Sequence, residues 1–152
     1  MKLLRATPAE CEAMAVAHAT AFGEKAWRED EFEDLLEGEG IYGFLADDDG
    51  PLGLILCRIA GDEVEILTLG VTPAARRRGV ALALMLAGLE TAREAGVAEA
   101  FLEVAVDNEA AIGLYALLGF RESGLRKAYY DLGPAGFMDA LVMRLDLNAR
   151  AA

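Results

Sequence analysis

Histidine is almost missing from this chain and cysteine is scarce, with one His and two Cys in 152 residues. Neither Cys11 nor Cys57 has a second Cys or a His at metal-ligand spacing, so zinc hydrolase and cysteine protease chemistry lose their raw material. Both cysteines read as reduced packing residues. His18, inside a predicted helix, reads as a surface or core histidine. No apolar run reaches the ~18 residues that a membrane span needs. Met1-Lys2-Leu3-Leu4-Arg5 lacks the apolar core and cleavage pattern of a signal peptide, so a cytoplasmic chain without a membrane partner is expected. Positive charge is also short: 14 Lys and Arg stand against 26 Asp and Glu, a net charge of −12. Such a chain repels nucleic acid and favours cationic partners such as amines or basic protein tails. Linkers, repeats and low-complexity tracts are absent. Residues 1–152 therefore read as one domain, and with 55% hydrophobic residues it can bury a real core.

Taken in order, Met1–Thr7 reads as a strand and Pro8 suits the first turn of a helix running Ala9–Phe22. Gly23–Ala26 breaks it, and Arg28–Gly38 is a second, acidic helix with Phe32, Leu35 and Leu36 on its apolar face. Three strands follow, Ile41–Ala46, Leu52–Ala60 and Val64–Val71, the first two joined by the hairpin turn Asp47-Asp48-Asp49-Gly50-Pro51. After a long helix ending at Gly96 come strand Ala98–Val106, helix Asn108–Leu118, and strands Glu122–Tyr130 and Phe137–Leu145. The order β-α-α-β-β-β-α-β-α-β-β predicts a mixed α/β chain with one mixed sheet and helices on both faces.

The stretch Val71–Gly96 organises the rest. Thr72-Pro73 marks a turn, three consecutive arginines lead into Gly79, and a helix begins with Val80, Leu84, Ala87 and Leu89 on one face. The first turn of a helix leaves backbone N–H groups unpaired at the positive end of its macrodipole. Arginines and a glycine at that junction make a receptor for phosphate or pyrophosphate. A solvated basic face is the plainer alternative. No Gly-Lys-Ser/Thr follows, so this is not a Walker loop.

Three further segments carry polar groups in informative places. Leu69-Gly70-Val71 puts a glycine inside a strand, the sign of a bulge or a close backbone approach, or simply of a strand end. In Phe101–Val106, alternation sets Leu102, Val104 and Val106 on one face and Phe101, Glu103 and Ala105 on the other. Both sets are otherwise apolar, as in a strand covered on both sides. A carboxylate there suits a general base or a structural pairing with an arginine. Asp107 or Asn108 then caps a helix on which Asn108 and Tyr115 share one face two turns apart. Tyr115 there can donate a proton to a leaving group, or simply pack under the Gly119-Phe120 turn.

Arg76-Arg77-Arg78-Gly79-Val80-Ala81 fits Arg/Gln-x-x-Gly-x-Gly/Ala, and resembles the acetyl-CoA pyrophosphate loop of the GNAT superfamily of N-acetyltransferases. Glu103–Tyr115 followed by Leu118-Gly119-Phe120 resembles the signature of its RimI-type branch, the ribosomal-protein-alanine N-acetyltransferases. Glu65–Leu69, Tyr129-Tyr130 and Asp139–Met143 are similar to that branch as well. The likeness runs from about Phe22 to Leu145. It implies a mostly antiparallel sheet splayed at an acetyl-CoA cleft, with Leu69, Gly70 and Val71 on pantetheine. Arg76, Arg77, Arg78, Gly79, Val80, Ala81 and Leu82 would hold the pyrophosphate, and Asn108 would help hold acetyl-CoA. Glu103 would be the proton acceptor, through water, and Tyr115 the proton donor to the CoA thiolate. A base is needed because an α-amino group, pKa ~8, is mostly protonated at neutral pH. A backbone N–H near Val71 would polarise the thioester carbonyl without a metal.

Glu65, grouped by alternation with Leu67 and Leu69, is a rival base; Glu103 is preferred. Ala81 departs from the usual second loop glycine, and Ala26, Arg28 and Met138 depart from common residues in regions that shape the acceptor site. The reading that results is acetylation of the N-terminal alanine of a ribosomal protein by a monomer or weak dimer. The alternatives are a GNAT enzyme for a small amine or lysine side chain, and a non-catalytic acyl-CoA-binding module.

Overall fold

The computed structural model describes residues 1–148; residues 149–152 of the expected single domain lie outside it. Strand β1 (Lys2–Arg5) leads to Thr7, whose hydroxyl accepts the Ala9 N–H while Glu10 accepts the Thr7 N–H at 3.0 Å. That reciprocal cap starts a 3-10 turn and then α1 (Cys11–Phe22). Helix α2 (Glu29–Leu36) follows. Arg28 precedes it with no acceptor to offer, so the cap is one-sided: Glu31 alone accepts the Arg28 N–H, at 3.3 Å.

Strands β2 (Ile41–Asp47), β3 (Pro51–Ala60) and β4 (Glu63–Val71) form the expected meander, and α3 (Val80–Glu94), β5 (Glu99–Ala105), α4 (Glu109–Leu117), β6 (Arg121–Asp131) and β7 (Phe137–Asp146) complete the chain. The seven strands make one sheet in the order β1-β2-β3-β4-β5-β7-β6, antiparallel at every contact except β4–β5.

Strand β3 shows why the sheet carries helices on both sides. Its alternate residues Leu54 and Leu56 pack with Met14, Ala17 and Phe32 of α1 and α2. Ile55 and Cys57, pointing the other way, pack with Val80, Leu84, Met85 and Leu89 of α3. Each fully buried aliphatic side chain of this kind contributes roughly 1.5–3 kcal/mol. Cys11 and Cys57 are both free and both buried in these two cores.

Two features of β4 prepare the site. Leu56 pairs with Thr68 and Cys57 with Ile66, so Leu67 is an extra residue and the bulge sits there. The alternation expected for this strand is thereby corrected. Val64 and Ile66 join the α3-side core, Leu67 turns to the α1 side, and Leu69 and Val71 return to the α3 side. Glu65 thus shares a face with Leu67 and not with Leu69. Gly70 stays in register with Leu54 and is not the bulge. It is needed for close approach: a Cβ there would lie 2.7 Å from Cε2 of Phe22 and 3.3 Å from Cβ of Ala21.

The second feature is the β4–β5 junction. It holds only three pairs, Glu63 with Glu99, Val64 with Ala100 and Glu65 with Phe101. Beyond them β4 continues along β3 to Val71 and β5 along β7 to Ala105, and the two strands part. Arg144 clamps the closed end. Its Nη1 pairs with Glu63 at 2.6 Å and with Glu99, and its guanidinium lies 5.0 Å from the centre of the Phe101 ring.

His18 is a core residue, 3% exposed. Its Nδ1 accepts the Trp27 N–H at 3.0 Å, which makes Nε2 the protonated nitrogen, 3.0 Å from the Thr68 hydroxyl. The imidazole stacks on Trp27 at 5.0 Å, and burial pushes its pKa down to about 4 against a weaker upward pull from Glu31. It fastens α1, the segment before α2 and the bulge of β4 to one another.

Candidate active site

Where β4 and β5 part, a cleft of about 630 Å³ opens between the start of α3, α4 and the last turn of α1. Its wall on β4 is Leu69, Gly70 and Val71, on a strand edge that β5 has ceased to pair. One end is the loop and first turn of α3: Arg76, Arg77, Gly79, Val80, Ala81 and Leu82. The far wall is α4, through Asn108, Ala110, Ala111, Leu114 and Tyr115. Ala21 and Phe22, from the last turn of α1, complete the lining; the sequence pattern had placed them only on a helix.

The loop is built to bind an anion. Gly79, the residue before α3, sits at φ 76°, and no side chain caps the helix. The unpaired N–H groups of its first turn therefore face the cleft end with the positive pole of the helix behind them. Arg77 is held at φ 64°, a left-handed conformation that costs a non-glycine residue about 1–2 kcal/mol and that recurs in backbone anion nests. Arg76 and Arg77 line the cleft. Arg78 does not. It turns toward the β2–β3 hairpin and pairs with Asp48 at 3.6 Å, both side chains about half exposed.

Asn108 caps α4: its Oδ1 accepts the Ala111 N–H at 3.2 Å, which leaves the Nδ2 donors for a ligand. Two turns on, Tyr115 is 8% exposed and has the Phe120 ring 5.9 Å from its own. It therefore both lines the cleft and packs at the Gly119-Phe120 turn. Burial first, and Tyr130 second, push its pKa up to about 12.

Glu103 lies on the opposite face of β5 from the buried Leu102 and Val104. That face is less covered than expected: Phe101, Glu103 and Ala105 are half-buried, because α1 and α2 lie over β2–β4 and stop short of it. The Glu103 side chain is 12% exposed, and its Oε1 accepts from Arg126 Nη1 at 2.7 Å. Its Oε2 is sealed from solvent and has no hydrogen-bond partner among the described residues. The Tyr129 phenol lies within hydrogen-bonding reach of this carboxylate, and that interaction is the main cause raising its pKa, with burial second. The Tyr130 hydroxyl stands 3.5 Å from the Glu103 carbonyl. Glu65 shares this face and carries its own cation, Arg58, at 2.6 Å.

Arg126 is the neighbour that sequence reasoning missed. The sheet order is the reason: β7 lies between β5 and β6, so Ala105, Ala140 and Arg126 form one cross-strand row beside the row of Glu103, Val142 and Gly124. Two residues 23 apart in sequence thus meet across a strand that comes later than both. The small Ala140 leaves the long guanidinium room to reach diagonally.

Residues 9–120 match the family described as Acetyltransferase (GNAT) family. A ribosomal protein bS18-alanine N-acetyltransferase of Escherichia coli is 31% identical over 133 residues, 87% of this chain and 85% of that protein. The crystal structure of a ribosomal-protein-alanine N-acetyltransferase from the same species superposes with a TM-score of 0.88 at 26% identity, covering 99% of this chain and 96% of that one. The fold is also that of Arabidopsis thaliana NAA60 crystallised with acetyl-CoA, with a TM-score of 0.81, 22% identity, and 97% and 100% of the two chains covered.

Proposed function

From the premise that this chain belongs to the GNAT acetyltransferase family, and is an acetyl-CoA-dependent N-acetyltransferase, we propose that its acceptor is the N-terminal α-amino group of a ribosomal protein beginning with alanine. The whole chain acts as one domain, built on one sheet. The observation that carries the reading is the parting of β4 from β5, which sets Tyr115 in the cleft on one face and Glu103 on the other.

The lining fits acetyl-CoA. Arg76, Arg77 and the uncapped start of α3 suit a pyrophosphate, and the unpaired edge of β4 suits the amide groups of pantetheine. Bound there, acetyl-CoA supplies the activated acetyl group. Glu103, or a water it holds, takes the proton that the attacking amine must lose. The N–H groups near Val71 polarise the thioester carbonyl. Tyr115 remains protonated through neutral pH, since its pKa lies near 12, and supplies the proton for the departing thiolate. The net charge of −12 suits a cationic N-terminal segment as the acceptor. The curated relative's designation, alanine of ribosomal protein bS18, favours this acceptor over a free amine or a lysine side chain.

Steady-state acetyl transfer to an alanine-starting peptide tests the assignment. Glu103→Gln and Tyr115→Phe should each lower kcat by about 10²–10⁴-fold, with the KM for acetyl-CoA nearly unchanged. Wild-type turnover in either variant would remove that residue from the mechanism. Full activity in Glu103→Gln together with loss in Glu65→Gln would move the base to Glu65.

A further inference from the structure

The Glu103 carboxylate is not symmetric in its surroundings. Oε1 is engaged by Arg126 at 2.7 Å, whereas Oε2 is buried and the carboxylate also has the Tyr129 phenol beside it as a hydrogen-bonding neighbour. Arg126 itself is placed rather than free. Its guanidinium lies 4.2 Å from the centre of the Tyr129 ring, and just beyond it the strand bulges between Arg126 and Tyr130. Within that bulge Ala128 is held at φ 53°, with its N–H donated to Asp139 Oδ1 at 2.7 Å. An aromatic floor and a pinned bulge thus fix a side chain that is still half exposed at the surface. The titratable neighbours are the neutral phenols of Tyr129 and Tyr130 on the same strand, and Glu65 across the parting of the strands, which Arg58 occupies.

Resting on the reading of Glu103 as the base, we propose that Arg126 is a positioning residue that holds Oε1 and thereby fixes the Glu103 carboxylate in one orientation for its part in taking the proton of the acceptor amine. An ionised carboxylate with both oxygens free would sample several orientations of its terminal torsion. The guanidinium removes that freedom before the acceptor arrives, so proton transfer begins from one geometry. Arg126 is not among the residues that line the cleft; it acts through Glu103.

A double-mutant cycle on acetyl transfer to the alanine-starting peptide tests this. Arg126→Met should lower kcat by about tenfold to a hundredfold while the KM for acetyl-CoA stays within about twofold, because an approach error of an ångström has that effect on rate. Arg126→Lys, which keeps a charged donor, should recover a substantial part of the loss. In a Glu103→Gln background, Arg126→Met should have no further effect, the sign of a residue acting through its partner. An equal loss from Arg126→Met in both backgrounds, or no loss in the wild-type background, would overturn the proposal while leaving the base in place. Full turnover by Glu103→Gln alone would remove the base assignment and this inference with it.

Discussion

Arg76, Arg77 and Arg78 are alike in chemistry and adjacent in sequence, yet only the first two border the cleft. The periodicity of a loop is undefined, so nothing in the run itself distinguishes its members; the distinction comes from the Asp48 carboxylate on the neighbouring hairpin. Arg76→Ala and Arg77→Ala should each raise the KM for acetyl-CoA by about tenfold, since a hydrogen bond to a charged group contributes roughly 1.5–3 kcal/mol. Arg78→Ala should leave it within about twofold, as an exposed ion pair contributes little. Steady-state kinetics on the three variants decides this, and a large effect confined to Arg78 would reverse the loop's geometry. Glu103 illustrates the same limit differently. Alternation correctly set it apart from Leu102 and Val104, but it also matched two environments, a base and an arginine-paired carboxylate, and in the structure the arginine is present. A single residue's pattern reports its face and not its partner.

At the scale of elements, the strands and helices were legible because their boundaries are written in Gly, Pro and Asp turns and their faces in clean periods. The bulge of β4 was not. Val64–Val71 alternates as a regular strand would, and the one glycine in it drew attention to Gly70 when the extra residue is Leu67. What fixes the bulge is tertiary: the Thr68 hydroxyl meets His18, whose other nitrogen meets the backbone of Trp27. This fastening has a pH signature. The folded-state pKa of His18 is near 4, against an ordinary value of 6.5, so between these values the unfolded chain binds more protons and stability falls as pH falls. The contribution is complete above pH 6.5 and is lost on descending to pH 4, a total of about 3 kcal/mol at 1.36 kcal/mol per unit. Urea denaturation at several pH values should show a steeper loss over this window in the wild type than in His18→Gln. Parallel profiles would contradict the neutral, buried histidine.

The whole molecule is a strongly acidic chain with a local basic loop, and that contrast was visible before any fold. So was the element order, and with it the expectation of helices on both faces of a mixed sheet. The parting of β4 and β5 was not readable from periodicity, because it depends on a parallel contact that stops after three pairs; only the resemblance implied it. That parting sets the cleft and the proposed base, Glu103, within one opening of the sheet. The most direct measurement is thiol release from acetyl-CoA in the presence of a basic peptide that begins with alanine, compared with the same peptide carrying a blocked N-terminus. Saturable turnover is expected with the free terminus alone, weakening as salt screens the attraction between acidic enzyme and basic peptide. Equal turnover with the blocked peptide through its lysines, or saturable CoA binding with no turnover on either, would contradict an α-amine acceptor.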